Sequence, residues 1–302
     1  MELIHQCGRE ALARVYVARF RSDDSYLAEF VDSLSGSPSR DLKWVAILSS
    51  QYGCPVGCGF CDAGDHYGGD LSKEELLAQL DFMVDRHFPD RKVPTAKFKV
   101  QFARMGEPAF NPAVIDALKE MRTRYHAPGL MPCISTVAPL GCGDFFERLL
   151  EVRKEYYPAE FQLQFSIHTT DMAVRDRLVP CPKWSLGEIS EYGNRFHGGK
   201  GRKAALNFAL SEALPLDPDV IGELFDPGHF MVKLTPVNPT ENATRRNLAS
   251  PLAPGVESGD HPVIRRLRQQ GFETVVSAGD NEENALGSNC GQVLALWKKN
   301  RQ

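Results

Sequence analysis

The sequence predicts an α/β fold, a partial (β/α)6 barrel preceded by a short N-terminal β-hairpin extension. Short runs rich in β-branched and aromatic residues alternate with helical patterns, which is typical of a parallel sheet with right-handed crossovers. Six such units and a last strand favour a barrel over a doubly wound sheet, because no G-x-G-x-x-G fingerprint follows the first strand. The candidate functional residues also follow the ends of predicted strands, where barrels carry their chemistry.

The predicted elements divide the chain into an N-terminal extension, residues 1–42, and a barrel, residues 43–302. In the extension, "VYVARF" and "YLAEFVDSL" predict the two strands of the hairpin, and "SGSPSRD" predicts a linker. The predicted barrel strands are 43–50, 97–104, 131–136, 161–168, 204–210, 230–237 and 272–277. The predicted helices are 72–87, 111–125, 143–156, 217–225 and 261–271. Ser72 and Glu75 predict a capping box at the start of the first helix.

Composition and charge exclude several classes of protein. The 302 residues are 42% hydrophobic and 25% charged, which is ordinary for a globular chain. No run approaches the roughly 20 apolar residues that span a bilayer, and the start lacks a signal-peptide pattern, so we expect a cytoplasmic protein without membrane contact. The net charge of −4 gives no overall basic field. Nucleic acid would need a local patch, such as 195–203 or 265–270.

Three of the eight cysteines, Cys54, Cys58 and Cys61, lie in the stretch "SQYGCPVGCGFCDAG" after the first barrel strand. Zinc is one interpretation, but a structural zinc site has four ligands and the sequence shows no second pair. A cysteine-rich surface loop is another. Three thiolates suit a four-iron cluster in which one iron stays open to a small molecule. The glycines among them allow the backbone to fold tightly around such a cluster.

This C-x-x-x-C-x-aromatic-C segment resembles the defining motif of radical S-adenosylmethionine enzymes. The resemblance implies a 4Fe–4S cluster whose open iron chelates S-adenosylmethionine. It also implies an external one-electron reductant of the flavodoxin or ferredoxin type. Reduction then yields a 5′-deoxyadenosyl radical that abstracts a hydrogen atom.

The rest of the chain resembles the RlmN/Cfr methyl synthases, which act on adenosine carbons of RNA. The similar segments occur in the family's order: "SSQYGCPVGCGFC", "RMGEPAFN", "CISTVAP", "FSIHTTDMAVRDRLVP", "KLTPVNP" and "GFETVVSAGDNEENALGSNCGQV". The resemblance implies that seven residues contact S-adenosylmethionine: Gly106, Glu107, Ser135, Ser166, Ile167, His168 and Asn238. Gly106 and Glu107 would hold its amino end. Ser135 and residues 166–168 would hold its ribose and carboxylate region, and Asn238 its adenine or ribose.

The same resemblance implies two catalytic residues. Cys290, in "NCGQV", corresponds to the cysteine that is first methylated and then passes a methylene radical to an sp² carbon. Glu29, in "LAEFVDS", lies where the family has a carboxylate base. The predicted function is therefore methyl or methylene transfer to an RNA base or a small molecule.

Two departures from the family keep other interpretations open. Ile47 occupies the position of the family's second catalytic cysteine, so Cys181, or next Cys133, would replace that thiol unless the reaction needs none. The family's N-terminal helical RNA-binding domain also has no counterpart in the roughly forty residues before the barrel. One alternative is a radical enzyme that abstracts a hydrogen atom from a small molecule and does not methylate it. The other is an iron–sulfur redox protein.

Overall fold

The computed structural model describes residues 1–238, 240–248, 261–277 and 292–300. Its strands are β1 Glu2–Arg9, β2 Ala13–Arg19, β3 Leu27–Ser33, β4 Trp44–Leu48, β5 Gln51–Gly53, β6 Tyr67–Asp70, β7 Phe98–Phe102, β8 Leu130–Thr136, β9 Gln162–Ser166, β10 Ala204–Leu210, β11 Phe230–Pro236 and β12 Glu273–Val276. The seven predicted barrel strands correspond to β4 and β7 to β12 and are confirmed within a few residues.

One large sheet contains ten of these strands, in the order β1-β2-β3-β4-β7-β8-β9-β10-β11-β12. From β4 onward each neighbouring pair is parallel, and β1 to β4 pair antiparallel. The fold is therefore α/β with a mostly parallel sheet, and the parallel strands follow one another in chain order. β5 and β6 form a separate antiparallel pair that flanks the cysteine segment.

The helices of the described residues are α1 Lys73–His87, α2 Ala113–Arg124, α3 Gly143–Tyr156, α4 Met172–Leu178, α5 Leu186–His197, α6 Pro218–Leu224, α7 Glu241–Arg245, α8 Pro262–Gln269 and α9 Gln292–Lys299. The predicted capping box of α1 is present, with both Ser72–Glu75 hydrogen bonds formed.

The prediction missed α4, α5, α7 and α9. α5 also begins with a capping box, Ser185 and Glu188. Its interior Gly193 hides the helical pattern, and a Cβ there would overlap the ring of Phe230. The glycine is thus required by packing against the sheet, which a local pattern does not show.

The N-terminal hairpin pairs as predicted, with β2 antiparallel to β3. The unpredicted strand β1 adds to its edge, and its sequence ELIHQCGR carries no clear alternation because both of its faces are largely exposed. The boundary predicted near residue 42 falls between β3 and β4, two strands that pair with each other. None of the described helices has the length and apolar composition needed to cross a bilayer.

Alternation along the parallel strands separates a core face from a cavity face. On β7, Phe98, Val100 and Phe102 are fully buried in the main hydrophobic core, together with residues of the helices. Lys99 and Gln101, which point the other way, line a cavity. The same parity holds on the neighbouring strands, so the sheet places a row of side chains from each strand around one shared space.

Candidate active site

The cavity has a volume of about 510 Å³, within the usual range of small-molecule sites. Strands β3, β4 and β7 to β12, or the segments that follow them, contribute to its wall. Nine residues expected from the sequence to hold a cluster or cofactor line it: Cys54, Cys58, Cys61, Gly106, Glu107, Ser135, Ser166, His168 and Asn238. Ile167 and Glu29 do not line it, and Cys290 lies outside the described residues.

The cysteine segment is a tight loop between β5 and a short 3-10 helix at Asp62–Asp65. Gly53 has a φ of +90°, and a Cβ there would overlap the His66 carbonyl oxygen, so the turn needs glycine. The Cys54 N–H donates to that carbonyl at 3.0 Å, and the Cys61 N–H donates to the Cys58 carbonyl at 3.0 Å. All three cysteines are partly exposed and line the cavity. The loop therefore presents three cysteine side chains to one cavity.

The electrostatics of the loop fit a cationic cluster. Burial raises the pKa of Cys54 to about 11, opposed by hydrogen bonds from the Val56 and Gly57 N–H groups. Burial also raises the pKa of Cys58, and the neighbouring Cys61 and Cys54 raise it further. Three thiolates in this loop thus require positive charge beside them, which iron supplies. Among the described residues, no three Cys, His, Asp or Glu side chains are arranged to hold a single metal ion. A multi-iron cluster suits separate thiols better, since each binds its own iron.

Glu107 lies at the end of β7 and is held by three donors. Its carboxylate accepts hydrogen bonds from Thr136 Oγ1 at 2.6 Å, from the Val137 N–H at 2.9 Å and from the Ala109 N–H at 3.0 Å. Burial raises its pKa to about 7, and these hydrogen bonds oppose the rise. The carboxylate is therefore fixed in position, which suits a group that receives an ammonium.

The preceding residue, Gly106, explains how Glu107 reaches the cavity. Its φ is +98°, and a Cβ would lie 2.6 Å from Ser50 Oγ and 2.7 Å from the Gln51 Cβ. The Glu107 N–H donates to Gln51 Oε1 at 2.8 Å. The chain can make this turn only with glycine, because both the φ value and the close approach exclude a side chain.

His168 is a buried histidine with an available ring nitrogen. Its φ is +69°, and its ring packs edge-on against Phe60 at 4.7 Å between centroids. Burial, aided by Arg175, lowers its pKa to about 3, so the imidazole is neutral. Within the described chain, Nδ1 is buried and has no hydrogen-bond partner. A buried ring nitrogen without a hydrogen bond lowers the stability of the fold unless a ligand or a water molecule bonds to it. Nδ1 therefore suits a contact with a cofactor.

Replacing His168 with asparagine tests this environment, since asparagine tolerates the left-handed φ. The wild-type imidazole stays neutral in the fold, whereas the unfolded chain takes up a proton below its ordinary pKa of 6.5. Wild-type stability therefore falls with acid. Between pH 7 and pH 5 we expect the wild type to lose about 2 kcal/mol more than H168N in urea unfolding. An equal loss in both proteins would show that the folded imidazole protonates normally.

Two residues with roles expected from the sequence, Ile167 and Glu29, do not line the cavity. The Ile167 side chain is fully buried in the main core and does not line the cavity, because it has the opposite parity to Ser166 and His168. Glu29 is fully buried on β3 and forms an ion pair with Arg104, Oε1 to Nε 2.8 Å. The Glu29 carboxylate is paired with Arg104, which lines the cavity, whereas Glu29 does not. The role of Glu29 as a base stays a prediction.

Glu29 also holds the start of the last helix, α9, through a hydrogen bond. Its Oε2 accepts a hydrogen bond from the Leu294 N–H at 2.9 Å, in the first turn of α9. A carboxylate at a helix N-terminus satisfies free N–H groups and the helix dipole. Leu294 is four residues beyond Cys290, which itself lies outside the described residues. The pair Glu29–Arg104 therefore ties the helix next to Cys290 to the cavity wall.

Removing one partner of the buried Glu29–Arg104 ion pair should lower the free energy of unfolding. In R104M the Glu29 carboxylate stays buried without its cation, and we expect urea unfolding to show a loss of about 3–5 kcal/mol. The double variant E29Q/R104M removes the stranded charge and keeps an acceptor for the Leu294 N–H. It should regain at least half of the loss. A double variant as unstable as R104M would contradict this account.

No family model matches the chain. A protein of Salinispora arenicola named "Probable dual-specificity RNA methyltransferase RlmN" is 30% identical over 289 residues, which covers 92% of this chain and 70% of that protein. The chain belongs to the RlmN family of radical S-adenosylmethionine methyltransferases. A Thermus thermophilus protein of the same name is 26% identical over 306 residues, covering 94% of this chain and 81% of that one.

The fold of this RlmN-family enzyme agrees with a solved structure. The crystal structure of a radical SAM methyltransferase from Sphaerobacter thermophilus superposes with a TM-score of 0.71 at 20% identity, over 96% of this chain and 80% of that one. The likeness covers the antiparallel N-terminal strands as well as the parallel sheet. The methyltransferase family and the α/β fold expected from the sequence are thus both confirmed.

Ile47 marks where this RlmN-family chain departs from the expected pattern. Its side chain lies on β4 and lines the cavity, so the position of the family's second cysteine faces the active site here without a thiol. Cys181 is partly exposed and packs against the same apolar cluster as Cys54 and Cys58, whereas Cys133 is fully buried. Neither lines the cavity. Replacement of the missing thiol by Cys181 stays a prediction.

Sequence reasoning missed one set of residues in this RlmN-family cavity. Four lysines line it: Lys43, Lys97, Lys99 and Lys233. The alternation in "KFKVQFAR" was the available signal, since lysines and Phe98 or Val100 must point to opposite faces of β7.

Proposed function

We propose that this enzyme binds a 4Fe–4S cluster through Cys54, Cys58 and Cys61 and transfers a one-carbon group from S-adenosylmethionine, by way of Cys290, to an sp² carbon of an RNA base. One observation carries the proposal: the side chains of three cysteines and the fixed carboxylate of Glu107 face a single cavity at the ends of parallel strands. RNA as substrate is supported by the names of the relatives.

The chain's own residues divide the work of binding. Gly106 lets the chain turn so that Glu107 can receive the amino group of S-adenosylmethionine. Ser135, Ser166 and His168 offer hydroxyl and imidazole groups to its ribose and carboxylate region, and Asn238 offers an amide to its adenine or ribose. When bound, the cluster and S-adenosylmethionine supply a radical that abstracts hydrogen. An external reductant of the flavodoxin or ferredoxin type would deliver the electron.

The sheet is best interpreted as a partial (β/α)6 barrel with the extension of residues 1–42 added at its first strand. The consecutive order β4-β7-β8-β9-β10-β11-β12 supports this, because the topology contains no reversal. The shared cavity also supports it, since a flat sheet does not bring the same-parity residues of β4 and β11 around one space. The cysteine loop then lies at the carboxyl ends of the strands, as in other barrels.

The described start of the last helix supports the proposed role of Cys290. The Leu294 N–H donates to Glu29, and Glu29 pairs with Arg104, which lines the cavity. Leu294 follows Cys290 by four residues in the sequence.

Turnover with methyl-deuterated S-adenosylmethionine tests the proposal. The reduced enzyme is incubated separately with RNA and with a metabolite extract, and each fraction is analysed by mass spectrometry. We expect label on an adenosine carbon of RNA. Label only in the metabolite fraction would contradict RNA as substrate. Formation of 5′-deoxyadenosine without label in either fraction would favour hydrogen abstraction without methylation, and no 5′-deoxyadenosine would indicate a redox protein.

A further inference from the structure

The cavity has a second end with a different character. The cysteine loop follows the carboxyl ends of β4 and β5, but Lys43 and Lys97 directly precede β4 and β7. Lys99 and Lys233 lie within β7 and β11 and line the same space. The amino ends of parallel strands gather at one edge of a sheet, so these lysines extend from that edge into the cavity.

The positive charge at this end is poorly compensated by the described residues. Among the described residues that line the cavity, Glu107 is the one carboxylate, and its oxygens are already bonded to three donors. Lys233 donates to Gln164 Oε1, a neutral group, at 3.4 Å. In the described ranges, no carboxylate forms an ion pair with Lys97, Lys99 or Lys233.

Burial and neighbouring cations lower the pKa of two of these lysines. Burial lowers the pKa of Lys233 to about 8, the charges of Lys99 and Lys43 lower it further, and Cys133 opposes them. Burial, with the charges of Arg202 and Lys99, also lowers the pKa of Lys97, while Glu160 acts in the opposite sense. A buried ammonium with cations beside it is stabilised when an anion enters.

We propose that Lys97, Lys99 and Lys233, with Lys43 beside them, bind a phosphate group at the amino end of the cavity. Ammonium groups are strong donors to phosphate oxygens and act as point charges that need no planar partner. The polar side chain of Gln101, which also lines the cavity, offers a further hydrogen bond. The phosphate can come from an RNA nucleotide or from a free phosphate monoester. The site is separate from the thiols, and phosphate binding does not depend on methyl transfer.

Calorimetric titration of the cluster-loaded enzyme tests this site with three probes: inorganic phosphate, adenosine 5′-monophosphate and a short RNA oligonucleotide. We expect saturable binding of inorganic phosphate at one site per chain. Lys97→Met, at an exposed position, and Lys99→Met and Lys233→Met should each weaken it at least tenfold. Lys92→Met is the matched control, because Lys92 is exposed and outside the cavity; it should bind as the wild type does. Lys233→Arg keeps the charge and should retain most of the affinity.

The outcomes separate the two sources and can overturn the proposal. RNA that displaces inorganic phosphate in competition identifies an RNA phosphate as the ligand. Displacement by adenosine 5′-monophosphate but not by RNA identifies a free monoester. Absence of saturable phosphate binding, or equal affinity in Lys97→Met, Lys99→Met, Lys233→Met and Lys92→Met, would refute the site. These readouts measure binding alone, so failure of the methyl-transfer proposal would not alter them.

Discussion

Replacing Cys58 with alanine is expected to abolish formation of 5′-deoxyadenosine from S-adenosylmethionine. Cys58 lies between the other two thiols of the loop, and all three face the cavity. Loss of a residue that only supports a metal ligand lowers affinity or activity by about 10–100-fold, so loss of a ligand should exceed 100-fold. The measurement is chromatography of 5′-deoxyadenosine after reduction with dithionite, together with the iron and sulfide content.

Cys7→Ala provides the matched control for this experiment. Cys7 is also a free, partly exposed thiol, but it lies on the edge strand β1 and does not line the cavity. We expect Cys7→Ala to keep its iron content and its 5′-deoxyadenosine yield. A Cys58→Ala protein with wild-type iron and activity would exclude Cys58 as a cluster ligand.

Replacing Cys290 with alanine is expected to remove methyl transfer while leaving the cluster intact. If Cys290 carries the one-carbon group, its peptide in the wild type gains the mass of one methylene after incubation with S-adenosylmethionine. Cys290→Ala cannot gain that mass, and label transfer to substrate should fall by more than about 100-fold, as for removal of a covalent nucleophile. Its iron content should stay at the wild-type level, since Cys290 is not among the proposed cluster ligands.

Cys142→Ala is the control for Cys290→Ala. Cys142 is a free thiol that precedes α3 and does not line the cavity. The Cys142→Ala substitution should leave the mass gain on the Cys290 peptide and the label transfer to substrate unchanged. Active wild-type enzyme with an unmodified Cys290 peptide would contradict the proposed route and favour the alternative without methylation.

The methyltransferase family and the strand and loop positions could be inferred from the sequence because their signals are local. The cysteine spacing and the glycines of the loop lie within fifteen residues. The strands β4 and β7 to β12 are short apolar runs bounded by breakers, and α1 shows its cap directly. Gly106 and Glu107 follow the end of β7, so placing them on the cavity needed only the strand and its end.

Tertiary structure decided the features that depend on partners distant in the chain. Glu29 resembles a base in sequence, and folding brings Arg104 and Leu294 to it, so that its buried carboxylate is paired and bonded to the start of a helix. Ile167 lies between two cavity residues, yet strand alternation turns its side chain into the core. By itself the sequence determined which chemical groups the chain carries and where its strands end. Which groups share a cavity, and which are neutralised by a partner, followed from long-range packing, because burial and charge pairing exist only once the strands are assembled.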